Sequence, residues 1–150
     1  MSPHASDLYQ SVVLDHNRSP RCYGAVTGAT HRAEGFNPIC GDRIVIEVLV
    51  TDDSLGVVGF TAQSCALCRA SASVMMELIS KKSISDAKET AISFEALLKG
   101  AHGNPLQLKD SSALAFCSIK DFPARAKCVL LPWRTMLSCL SDQTSVSTES

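Results

Sequence analysis

At 150 residues the chain has the usual length of one domain. Its 45% hydrophobic and 19% charged content excludes an intrinsically disordered protein. A net charge of −1 with no long run of either sign excludes the basic stripe that a nucleic-acid or anionic-membrane surface needs, so neither partner is expected.

Leu8, Tyr9, Val12, Val13 and His16 recur at helical spacing, with Asp7 placed to start a helix and Pro20 to end it. A weakly patterned, Gly-containing stretch follows over residues 22–35, with one edge strand near 30–34. Residues 43–50 alternate, putting Ile44, Ile46, Val48 and Val50 on one face of a strand. Residues 51–54 turn the chain, and 55–61 return as a second strand. From 68 to 79 the small residues Ala70, Ser71, Ala72 and Ser73 lead into an apolar helix able to approach another backbone closely. Ser83-Ile84-Ser85-Asp86 resembles a capping box that opens a helix through Leu98. His102-Gly103-Asn104-Pro105 reads as a loop, and Pro123 favours a helix start. Trp133, Met136, Leu137 and Leu140 form the apolar stripe of a last helix. The expectation is one α+β domain over residues 1–140: a small antiparallel sheet of about three strands with helices packed on one side. The polar residues 141–150 are expected to form a disordered tail.

Residues 1–7 have neither the basic nor the apolar region of a signal peptide. No apolar run approaches the roughly 20 residues needed to span a bilayer. A cytoplasmic location follows as the expectation, and there thiols stay reduced. Seven cysteines in such a compartment point to metal or sulfur chemistry more than to disulfides. Cys117 and Cys139 lie among apolar neighbours and read as packing residues.

Three cysteines and one aspartate stand apart: Cys40 and Asp42 in Asn37-Pro38-Ile39-Cys40-Gly41-Asp42, Cys65 in Gln63-Ser64-Cys65-Ala66, and Cys128. Three thiolates and a carboxylate fill a tetrahedral metal site. The carboxylate is the harder and more exchangeable ligand, which suits a site that changes state. A hairpin brings its ends together, so Cys40, Asp42 and Cys65 should converge. Pro132 has no N–H to bond the carbonyl of residue 128, so the last helix is expected to open there and expose Cys128 at a helix start. Arg125 and Lys127 could offset the negative charge of such a site, or merely cover a helix surface. Cys68 forms a Cys-x-x-Cys pair with Cys65, but no second pair exists to make a zinc ribbon, and a packed or spare thiol is the plainer reading. His16 reads as a satisfied semi-buried residue. His31 and His102 have no ligand-spaced partner.

These motifs together resemble the U-type iron–sulfur cluster assembly proteins, the IscU, SufU and NifU N-terminal family. The likeness runs from Leu8 to Leu140 and includes Leu14-Asp15-His16, Pro20-Arg21, Ala70-Ser71-Ala72-Ser73, and Phe122-Pro123-Ala124-Arg125-Ala126-Lys127-Cys128 with Trp133. IscU-type members carry His before the last cysteine, where this chain has Lys127, and the 62 residues between Cys65 and Cys128 exceed the IscU pattern. Both features resemble the SufU branch. That resemblance implies Zn²⁺ on Cys40, Asp42, Cys65 and Cys128. It implies a zinc-dependent sulfurtransferase that accepts persulfide sulfur at Cys40 from a pyridoxal-phosphate cysteine desulfurase (SufS-like) and serves downstream Fe–S assembly components. Arg125 and Lys127 would serve partner binding or charge balance. Cys68 stands where a small non-thiol residue is expected, a candidate secondary thiol to relay the persulfide. The alternatives are a scaffold for a labile [2Fe–2S] cluster and a non-catalytic module that zinc merely stabilises.

Overall fold

A computed structural model describes residues 5–100, 108 and 111–149. Helix α1 (Ala5–Arg18) leads into strands β1 (His31–Asn37), β2 (Asp42–Thr51) and β3 (Ser54–Gln63). Helices α2 (Ala66–Ile79) and α3 (Ile84–Leu98), a 3-10 helix (Ser112–Ile119), helix α4 (Pro123–Leu140) and a short strand β4 (Ser145–Ser147) complete the described chain. The sheet order is β3-β2-β1-β4; β1, β2 and β3 pair antiparallel and β4 pairs parallel to β1.

The inner sheet face carries Ala33, Ile44, Ile46 and Val48, all fully buried under α4, which lies across β1 and β2. Period-two alternation puts these residues on one side and leaves Arg43 on the other. Asp52 and Asp53 both take positive φ (51° and 61°), the left-handed pair that a two-residue hairpin turn demands. At the start of α3 the Ser83 hydroxyl accepts the Asp86 N–H at 3.0 Å, as the capping pattern predicts. The small residues of α2 do what their size allows. Ser71 donates to the Val129 carbonyl at 2.6 Å and accepts the Trp133 indole N–H at 2.9 Å, locking α2 to α4. Trp133 in turn stacks on Phe94 of α3, ring centres 4.0 Å apart.

Three sequence expectations need correction, and one element had no counterpart in the sequence reading. The strand expected near 30–34 is longer and is not an edge, because β4 covers its free side. The tail expected to be disordered over 141–150 supplies that strand; Ser145, Val146 and Ser147 pair with Glu34, Gly35 and Phe36. Its polar composition hid a backbone ladder that needs no apolar side chains. The 3-10 helix between α3 and α4, to which the sequence pattern assigned no element, buries Ala113, Ala115, Phe116 and Ile119. Helix α4 also runs unbroken through Pro132. Burial of both its faces outweighs the one hydrogen bond that proline removes. The expected loop at His102 lies outside the described residues.

Candidate metal centre

The site lies at one end of the sheet, where the β1–β2 turn and the β3–α2 connection meet α4. Residues 38–41 form the turn of the β1–β2 hairpin, with Asn37 and Asp42 directly paired across it. Gly41 takes φ 72°, a conformation that admits the tight bend between Cys40 and Asp42. Cys65 follows β3 as the N-cap residue of α2. Cys128 is the sixth residue of α4 and points back toward the turn. Cys40 thus sits in a hairpin turn that sequence reading missed, ahead of the β2–β3 hairpin that it found.

Donor atoms of Cys40, Asp42 and Cys128 all lie within 4.8 Å of one another. The two sulfurs, Cys40 Sγ and Cys128 Sγ, are 3.6 Å apart. Cys65, expected as the fourth ligand, lies outside that mutually close trio; its Sγ stands 3.8 Å from Asp42 Oδ2, on the side of α2. Zinc–sulfur bonds of about 2.3 Å at tetrahedral angles separate two ligand sulfurs by roughly 3.8 Å, and a sulfur and an oxygen by slightly less. The observed spacings fit that geometry, and the soft three-sulfur donor set fits zinc or iron.

Asp42 is 3% exposed and well supported. Its Oδ1 accepts the Cys65 backbone N–H at 2.9 Å, and its Oδ2 accepts from Asn37 Nδ2 at 3.3 Å. Asn37 Nδ2 also lies 3.6 Å from Cys128 Sγ. Cys128 is 4% exposed, so the expected exposure at a helix start is corrected. That role belongs to Cys65. A hydrogen bond from Cys128, together with the backbone N–H groups of Cys68 and Leu67 at the start of α2, lowers the Cys65 thiol to about 7. The same hydrogen bond, with burial and the Asp42 carboxylate, pushes the Cys128 thiol up.

The other candidates fall outside this group. Cys68 is fully buried in the core, and burial pushes its thiol far up. Arg125 stacks on the Phe122 ring at 5.1 Å, and Lys127 pairs with Glu149 of the tail. His16, 2% exposed, is satisfied by Ser73 at 2.7 Å and Glu77 at 3.4 Å. His31 meets Thr30 at 2.8 Å and Asp142 at 3.4 Å, and His102 lies outside the described residues. Sequence reading gave Asn37 no role. Its strand was drawn too short for the alternation through Ala33 and Gly35 to reach it.

A family model described as NifU-like N terminal domain matches residues 8–129. The chain is 32% identical over 130 residues, 86% of each chain, to the Bacillus subtilis protein named zinc-dependent sulfurtransferase SufU. It is 31% identical over 129 residues to the Streptococcus pyogenes iron–sulfur cluster assembly scaffold protein IscU, covering 86% of this chain and 80% of that one. The fold superposes on the crystal structure of the SUF-system protein FiSufU of Fervidobacterium islandicum with a TM-score of 0.82 at 29% identity, over 91% of this chain and 99% of that one. Converging cysteines, fold and likeness agree: the chain belongs to the NifU-like N-terminal domain family, that of the IscU and SufU iron–sulfur cluster assembly proteins.

Proposed function

We propose that the chain is a zinc-dependent sulfur carrier that accepts persulfide sulfur at Cys40 from a pyridoxal-phosphate cysteine desulfurase for iron–sulfur cluster assembly. One observation carries the choice of acceptor: Cys40 is the exposed member of a group in which Asp42 and Cys128 are buried. A cleft of about 140 Å³ opens beside it, lined by Asn37, Ile39, Pro123, Ala124 and Lys127. Ile39 (65% exposed) and Phe122 (51% exposed) offer apolar surface close by for a docking protein. No helix among the described residues is long and apolar enough to cross a membrane, and the proposed setting is the reducing cytoplasm.

Bound by Cys40, Asp42, Cys65 and Cys128, a zinc ion would hold the three sulfurs as thiolates at neutral pH. The chain does the rest. The Cys40 thiolate attacks the outer sulfur of the partner's Cys–S–SH. A new S–S bond forms at Cys40, the partner's S–S bond breaks, and the partner leaves as a thiolate, with no net oxidation. Asp42 and Cys128 keep their places through Asn37 and the Cys65 N–H while Cys40 moves out. Lys127, paired with Glu149, forms part of the cleft wall where the sulfur would arrive. A Cys40→Ala variant should fail to stimulate a desulfurase; stimulation equal to wild type contradicts the proposal.

A second reading, a scaffold for a labile [2Fe–2S] cluster, is favoured by the same donor group, whose sulfurs suit iron equally well. Stable iron and sulfide binding without persulfide acceptance would select it.

A further inference from the structure

The C-terminal strand returns to the site that the rest of the chain builds. The Thr148 N–H donates to the Phe36 carbonyl at 3.0 Å, and Glu149 pairs with Lys127 at the cleft beside Cys40. Between these two anchors the Thr148 hydroxyl donates to Asn37 Oδ1 at 3.2 Å. Asn37 is fully buried and Thr148 is 9% exposed, so water does not compete for this bond. With its oxygen engaged, the Asn37 amide must turn its NH₂ the other way. There it faces Asp42 Oδ2 at 3.3 Å and Cys128 Sγ at 3.6 Å. An amide turned over would set its oxygen against the Asp42 carboxylate, acceptor facing acceptor, and would withdraw the NH₂ from both Asp42 and Cys128.

We infer that Thr148 and Asn37 are positioning residues of the metal centre: the C-terminal strand, through one side-chain amide, fixes how Asp42 and Cys128 are presented and so sets how long the site keeps its ion. The inference rests on the zinc reading above. Residues that orient metal ligands commonly change affinity by about 10- to 100-fold when removed. The Lys127–Glu149 pair is a weaker candidate for this role, because both side chains are more than a third exposed and solvent screens them. The path therefore runs through Thr148.

The test uses the full chain loaded with zinc and challenged with a chromogenic chelator. Thr148→Val, which keeps the shape and removes the hydroxyl, should release zinc about tenfold faster. Thr148→Ser and Glu149→Gln should stay near wild type. An unchanged rate in Thr148→Val, or equal acceleration in Thr148→Ser or Glu149→Gln, overturns the inference. If the wild-type chain retains no zinc, the zinc reading fails and the positioning claim is judged on metal-free protein. There, faster alkylation of buried Cys128 in Thr148→Val than in Thr148→Ser upholds it, and equal rates overturn it.

Discussion

The Cys65 backbone N–H donates to Asp42 Oδ1 at 2.9 Å, tying the first residue of β2 to the N-cap of α2 across 23 positions of sequence. The bond sets a candidate ligand and a helix terminus against each other, so the carboxylate is structural before it binds anything.

Asp42→Ala should therefore weaken the metal-free protein. The Cys65 N–H and one Asn37 N–H lose their acceptor in a buried place, at a cost of about 1–3 kcal/mol. Asp42→Asn, which keeps an accepting oxygen, should recover part of the loss. Urea unfolding of the metal-free proteins gives both numbers, and equal stability of Asp42→Ala and wild type counts against this double role.

In metal-free protein, Cys65 should ionise before Cys128. Its thiol is lowered to about 7 by the Cys128 hydrogen bond and by the N–H groups at the start of α2. Alkylation followed by mass spectrometry should show a half-maximal rate near pH 7 at Cys65, while Cys128 stays unmodified. Cys128→Ala should move that midpoint up, because it removes the largest cause. The folded value lies below that of an ordinary thiol, so this group's ionisation stabilises the fold above the ordinary thiol range, an effect lost as pH falls through about 7. A midpoint near that of an ordinary thiol contradicts the assignment.

Gly35 lies where Leu131 and Thr135 of α4 pack directly on β1. A Cβ there would collide with Thr135 Oγ1 and crowd Leu131 Cδ1 and Ile44 Cγ2 at 3.1 Å. Gly35→Ala should cost about 1–3 kcal/mol, the usual penalty of overpacking a core. Thr135→Ala removes the colliding oxygen, so the double variant should lose less than the two single losses added together. Additive losses in thermal or urea unfolding would show that the contact is not the cause.

Much of this was legible in the sequence, and the failures have physical causes. The strand pattern of Ile44, Ile46 and Val48, the helix of Trp133 and the Ser83 cap follow from periodicity and local hydrogen bonding, and the structure shows each of them. The approach of Cys65 to Asp42 could be argued from hairpin ends, while the trio that lies closest together is Cys40, Asp42 and Cys128. Cys128 reaches the group for another reason than the one deduced from Pro132. The helix stays intact across the inner face of β1 and β2, and its second turn brings Cys128 to the β1–β2 turn. The roles of Thr148 and Asn37 were not readable, because β4 pairs through backbone groups that any sequence carries and Asn37 touches the tail only after the whole fold has closed.

The most direct test of the central claim is intact-protein and peptide mass spectrometry after incubating the zinc-loaded chain with a cysteine desulfurase and cysteine. The account predicts the added mass of one sulfur atom on Cys40, lost in Cys40→Ala and retained in Cys68→Ala, since Cys68 is sealed in the core. Sulfur resting on Cys68, or no added sulfur on any cysteine while iron and sulfide accumulate, would contradict it.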